Sequence, residues 1–273
     1  MNDTLKRVLA VLPLIPLILW LMFAGPAWGF QALVLAAVTI SGFEFGKMVA
    51  PGDRLLQGIV VSGTVLLSAA RILANDAAVV DGALFVVAFL ALLGALLRPE
   101  PVDEAARRIG FMLAGPLYAG FLLSSIALVH AYPSGGSWVL LCMFVAWLSD
   151  TFAYFGGKFF GKHKLYPKLS PKKTVEGAVS GLLGSVLGAV AISLFFIPEQ
   201  LPVVHAVVLG VFGGALGQAG DLFESLIKRS VGVKDSGQLL PGHGGILDRV
   251  DALMYTSSAI WVYAHFVLGV RPG

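Results

Sequence analysis

The chain has 273 residues, of which 57% are hydrophobic and 13% charged, with a formal net charge of +3. That charged share is about half the usual one, too small to cover the surface of a water-soluble domain. A soluble globular fold and intrinsic disorder are therefore all but excluded, and so is a disulfide scaffold, because Cys142 is the only cysteine.

The first apolar run follows Lys6 and Arg7 and extends to about Phe23. Pro13 and Pro16 interrupt it and no small-residue cleavage site follows, so we expect a retained span and not a removed leader. Further runs cover Trp28 to Met48, Leu55 to Leu73, Val80 to Leu97 and Ile109 to Val129. The remaining four cover Ser137 to Phe155, Gly177 to Ile197, Val203 to Ile227 and Val250 to Val270. Each approaches the roughly 20 residues a helix needs to cross a bilayer. Breakers stand at the joins, among them Gly25-Pro26, Pro51-Gly52, Pro198 and Pro202. The predicted fold is all-α, a polytopic membrane protein with about nine transmembrane helices. Gly181, Gly184 and Gly188, and Gly210, Gly213, Gly214 and Gly217, predict close helix packing through small residues.

Charge placement orients these spans. With the N-terminus inside, 17 of the 19 Lys and Arg residues fall on the inner side, and only Arg71 and Arg271 fall outside. The positive-inside rule then gives an N-in, C-out topology. It also accounts for the basic balance without nucleic acid as a partner. Two inner segments, Lys158 to Glu176 and Lys228 to Arg249, hold most of the polar chemistry. We divide the chain accordingly. Residues 1–130 form a scaffold of five spans with a possible dimer contact, and residues 131–273 form a catalytic half of four spans with cytoplasmic loops.

Acidic residues inside apolar runs are the sharpest signal, since each costs about 2.5–3.5 kcal/mol at a span centre. Asp150 has apolar sequence on both sides. Asp221 and Glu224, and Asp248 and Asp251, are two i,i+3 pairs, so each pair shares a helix face. Asp248 also suits a helix cap. Hard oxygen ligands near basic residues suit Mg²⁺, which bridges carboxylates to substrate phosphates. Lys172, Lys173, Lys228, Arg229, Lys234 and Arg249 are the candidate phosphate partners, with Asp150 supporting the metal or holding Lys172 or Lys173. Gly242, Gly244 and Gly245 around His243 form a glycine-rich turn before a helix start, where backbone N–H groups can cradle phosphate. Glu224 and Lys228 have the spacing of an ordinary helix pair, as do Glu44 and Lys47 in the second span. A cation transporter would also carry intramembrane acids. It is disfavoured because the acids cluster toward the inner face.

The segment Ser225 to Asp251, SLIKRSVGVKDSGQLLPGHGGILDRVD, resembles the signature of the phosphatidate cytidylyltransferase family, also called CDP-diacylglycerol synthases. The matching positions include Ser225, Lys228, Arg229, Lys234, Asp235, Gly237, Pro241, His243, Gly244, Gly245, Asp248, Arg249 and Asp251. The stretch from Ser149 to Gly177 is similar to the family's second recognisable region. The resemblance implies transfer of the cytidylyl group of CTP to phosphatidate, with Mg²⁺ required and pyrophosphate released. It implies metal ligation by Asp221, Asp248 and Asp251, and allows a second, monovalent cation such as K⁺. Asp221, Asp248, Asp251, Lys228, Arg249 and His243 are then the catalytic set. Lys172, Lys173, Arg229, Lys234, Asp150, Ser225, Gly244 and Gly245 are the substrate-binding set. It further implies a multi-pass protein of the bacterial inner membrane, in contact with membrane lipids, with its site facing the cytoplasm. The alternatives are a cytidylyltransferase for an ether or prenyl lipid, or a cation transporter. A CDP-alcohol phosphotransferase is disfavoured because its paired aspartate pattern is absent.

Overall fold

The computed structural model describes residues 14–74, 76–237 and 244–273. Lys6, Arg7 and His243, with Pro241 and Gly242, lie outside the described residues. The first run appears as α1, Leu14–Phe23. It is followed by α2 (Ala27–Val49), α3 (Arg54–Ala69), α4 (Ala77–Leu97), α5 (Ala105–Gly115) and α6 (Leu123–His130). Then come α7 (Gly135–Phe160), a hairpin of β1 (Lys164–Tyr166) and β2 (Ser170–Thr174), α8 (Val175–Phe195), α9 (Val203–Ser230) and α10 (Leu247–Phe266). The chain is an all-α polytopic membrane protein. Among the described residues, seven helical segments are long and apolar enough to cross a membrane. The ninth predicted run forms α10, whose first turns carry Asp248, Arg249 and Asp251. Phe85, Leu96 and Phe195 are 72%, 74% and 79% exposed, which suits side chains that face hydrocarbon and not water.

The chain falls into two compact units. The first holds Pro26–Ala127 and Asp235–Arg249, with the described part of α1 up to Ile18. Here α3 packs on α2 and α4, and Val38, Phe45, Val60, Leu67 and Met112 are buried. Two segments depart from α-helix. A π turn, Ala70–Ala74, extends α3, and a second, Pro116–Leu122, joins α5 to α6. Pro116 has no N–H to give, so the register must shift there. Arg71 sits on the first π turn and is buried, not in an outer loop. Its guanidinium donates to the Phe121 carbonyl and to Ser124 Oγ and Ser125 Oγ, and lies 3.8 Å from the centre of the Phe121 ring.

The second unit holds Leu19–Gly25, Leu128–Lys234 and Val250–Gly273. Its centre is α8, which packs against α7 on one side and α9 on another. The glycine row of α8 makes the first contact possible. A Cβ on Gly184 would stand 2.5 Å from the Leu148 carbonyl oxygen and 2.7 Å from the Phe152 Cβ. Backbones this close leave no room for a side chain.

Candidate functional site

The inner segment 158–176 has no alternating apolar pattern, yet it folds as a hairpin with Lys164 paired to Thr174 and Tyr166 to Ser170. Two side chains close its base. Thr174 caps α8 by accepting the Gly177 N–H at 3.1 Å. Glu176, in the first turn of α8, accepts from Lys162 N at 3.0 Å and His163 N at 3.2 Å, and bonds His163 Nδ1 at 2.6 Å. The strand so anchored presents Lys172 and Lys173 to a cleft.

That cleft has a volume of about 410 Å³, and Asp150 of α7, Lys172 and Lys173 of β2, and Asp221 of α9 line it, with Tyr154, Lys158 and Gln218. Lys173 Nζ forms an ion pair with the Asp221 carboxylate. The partner of Lys173 is therefore Asp221 and not Asp150. Asp150, Asp221 and Asp251 lie within electrostatic reach of one another, and the Glu224 carboxyl group lies beside Asp251. Gln218 donates to Ser149 Oγ and to the Ala178 carbonyl at 3.2 and 3.1 Å, which fixes α9 against α7 and α8 next to the cleft.

Other predicted site residues lie elsewhere. Lys228 donates to the buried Glu224 carboxylate at 2.9 Å, the helix pair that the i,i+4 spacing allows. Arg229 donates to the Val233 carbonyl at 2.9 Å and so ties down the chain after α9. Ser225 is half-buried on α9, and Lys234 and Arg249 are exposed. Asp248 and Gly245 belong to the first unit. The Asp248 carboxylate accepts the Gly245 N–H at 2.9 Å and the Ser236 N–H at 3.0 Å. The Asp248 side chain thus folds back on the chain that precedes α10. Gly244 has φ of 78°, a left-handed turn that suits glycine.

The simple pairing of Glu44 with Lys47 is not what forms. The Glu44 carboxylate accepts the N–H groups of Ile246 and Leu247 at 3.1 and 2.9 Å, while Lys47 lies 4.5 Å over the Phe43 ring. Two helix-start amides in a buried place cost about 1–3 kcal/mol each if left unpaired, more than an exposed ion pair returns. Sequence reasoning missed this role, although the cost of a carboxylate in an apolar run was a signal that pointed to it. The partner, about 200 residues away, was not readable from spacing.

No three His, Cys, Asp or Glu side chains among the described residues are arranged to hold a metal ion as they stand. The donor chemistry still fits a hard cation. The acids around the cleft are carboxylates, and Asp221 already holds a positive charge, the Lys173 ammonium.

Residues 5–267 match the model of a family described as the cytidylyltransferase family. The chain belongs to this family. A phosphatidate cytidylyltransferase of Brucella abortus biovar 1 is 31% identical over 265 residues, which covers 96% of this chain and 94% of that protein. The protein of the same name from Staphylococcus haemolyticus is 44% identical over 145 residues. That match spans 50% of this chain and about half, 55%, of the relative's length.

Proposed function

We propose that this membrane cytidylyltransferase acts on phosphatidate, converting it and CTP to CDP-diacylglycerol and pyrophosphate in phospholipid biosynthesis. The observation that carries the reading is a cleft joining Asp150, Lys172, Lys173 and Asp221, in a chain similar to phosphatidate cytidylyltransferases along 96% of its length. The phosphatidate phosphate attacks the α-phosphorus of CTP, the bond between the α-phosphorus and the bridging oxygen breaks, and pyrophosphate leaves. The nucleophile is already an anion, so no general base is required. Bringing two polyanions together is the main barrier, and fixed positive charge lowers it. Lys172 and Lys173 serve this role from β2. Lys173 exchanges Asp221 for a substrate phosphate.

Asp221 and Asp251 are the proposed ligands for Mg²⁺, with Asp248 one turn before Asp251 on α10 as the third. When bound, Mg²⁺ would neutralise charge on the phosphates and polarise them. The family resemblance adds a second, monovalent cation such as K⁺ to this proposal. His243, Gly244 and Gly245 are proposed to contact phosphate, as are Arg229, Lys234 and Arg249 on the same side. The orientation is N-in and C-out in the inner membrane of a bacterium, with the site at the cytoplasmic face, and the scaffold half provides the contact for a homodimer.

The test mixes purified protein, labelled CTP and Mg²⁺ with phosphatidate, with a phosphorylated ether lipid or with a prenyl phosphate. Phosphatidate should give the fastest formation of labelled CDP-lipid. Equal or greater product from another lipid would displace phosphatidate, and no nucleotide turnover at all would sink the reading. Asp221→Asn, Asp248→Asn and Asp251→Asn should each lose turnover or need far more Mg²⁺ at matched folded protein. Asn caps nearly as well as Asp, so a mere capping role at Asp248 predicts wild-type turnover.

A further inference from the structure

We infer that Glu44 is a positioning residue for cytidylyl transfer, holding Ser236 and the start of α10 against α2. The inference rests on the function proposed above. Glu44 is buried near the end of α2, and its carboxylate receives Ile246 N–H and Leu247 N–H, the amides that open α10. A helix start leaves its first N–H groups without partners inside the helix and carries partial positive charge, so a carboxylate suits it better than any neutral acceptor. Ser236 Oγ approaches the same carboxylate at 3.5 Å. From the other side, Asp248 binds the N–H groups of Ser236 and Gly245. The two acids thus hold Ser236 and the chain from Gly245 to Leu247. Asp248 follows directly on α10, with Asp251 one turn further along the helix.

The glycines of this segment show how tight the seat is. A Cβ on Gly237 would stand 2.5 Å from Glu44 Oε1, 2.8 Å from its Cδ and 3.0 Å from its Cγ. A Cβ on Gly245 would stand 2.5 Å from Glu44 Oε2 and 2.3 Å from Ser236 Oγ. Gly237 is the cleaner probe, because its three nearest contacts all belong to Glu44. Glu44 lies some 200 residues from the amides it binds, so the first half of the chain sets the geometry of a segment in the second.

Full-length wild type, Glu44→Gln, Glu44→Ala, Gly237→Ala and Glu44→Ala/Gly237→Ala would be purified and assayed for CDP-diacylglycerol formation from phosphatidate and CTP. Amide hydrogen exchange across residues 244–250 and across α7 and α8 would be followed in the same samples. Glu44→Gln should lower kcat about 10–100-fold at matched folded protein, with KM for CTP little changed, as displaced supporting groups do. Exchange should rise at Ile246 and Leu247 and stay level in α7 and α8. Gly237→Ala should lose activity by pushing on Glu44, so the double variant should be no worse than Glu44→Ala alone. Wild-type kcat in Glu44→Gln, a fall in kcat without faster exchange at Ile246 and Leu247, or losses that multiply in the double variant would each overturn the inference. If Glu44→Gln does not fold, Gly237→Ala decides. Slower turnover with faster exchange supports the role, and normal values of both refute it. An inactive wild type would instead refute the proposed function, which keeps the two failures apart.

Discussion

Lys173 and Asp221 are 48 residues apart, yet their side chains meet in the cleft. Each is about 30% exposed, at 29% and 31%, so solvent screens the pair and it adds at most about 1 kcal/mol to stability. A pair worth so little to the fold can open at small cost, as the proposed role of Lys173 requires. Lys173→Gln should therefore leave the thermal midpoint near wild type and lower kcat/KM about 10²–10³-fold, the usual loss when one fixed donor to a developing anion is removed. Steady-state kinetics beside a melting curve would check this. A melting point that drops in step with activity would make the lysine structural. Asp150→Asn belongs to the same experiment. Because Lys173 has Asp221 as a partner, Asn at position 150 strands no buried cation. Yield should hold while turnover falls. At this scale the sequence revealed which residues carry charge into apolar surroundings, because that cost is local and shows in composition. It could not reveal partners. Spacing rules see i,i+3 and i,i+4 neighbours, so they proposed Lys47 for Glu44 and missed the amides of Ile246 and Leu247.

At the scale of elements, apolar run length predicted the helices within a few residues because lipid leaves the backbone no alternative to a helix. The same argument is silent where the chain leaves the lipid. The β1–β2 hairpin has few apolar residues to pattern, and main-chain bonds and the Glu176 clamp hold it. The π turns were equally hidden, since Arg71 and Pro116 adjust a helix without shortening its apolar run. Glycine content, by contrast, was readable as helix packing, and the structure shows that position matters more than number. Gly184→Ala must push α7 and α8 apart, because the new Cβ would stand 2.5 Å from the Leu148 carbonyl oxygen. Gly82 on α4 has nothing within 4 Å of the same added atom. Gly184→Ala should therefore lower the thermal midpoint clearly. Gly82→Ala should hold or raise it, since Ala gains up to about 1 kcal/mol over Gly inside a helix. Equal shifts in detergent melts would mean that the α7–α8 contact is not set by backbone approach.

For the whole molecule, the number of crossing helices and their direction decide which side of the membrane the cleft faces. The split of 17 against two Lys and Arg residues argues for an N-in, C-out chain. Seven segments suffice for crossing on length and apolarity alone, so the argument turns on α1 and α10. If neither crossed, the basic loops would stay inside and both ends of the chain would change sides. Contacts within the second unit favour crossing. Gly273 N donates to the Ala131 carbonyl at 2.9 Å, and His130 Nε2 lies 3.1 Å from the Met22 carbonyl oxygen. The far ends of α10 and α1 therefore stand beside the turn from Ala131 to Ser134, which the charge rule puts outside. The basic β1–β2 turn lies past the other end of α7, a helix of 26 residues that can span about 39 Å. Cys142 is the only cysteine and is buried, so replacing it with Ala gives a clean background for single-cysteine probes. In intact cells an impermeant thiol reagent should label cysteines placed at Ser134 and Gly273, and should reach one at Lys168 only after the membrane is opened. Labelling at Lys168 in intact cells would invert the molecule and place the cleft away from cytoplasmic CTP. Protection of Gly273 together with labelling of Ser134 would leave the basic loops inside but mean that α10 does not cross.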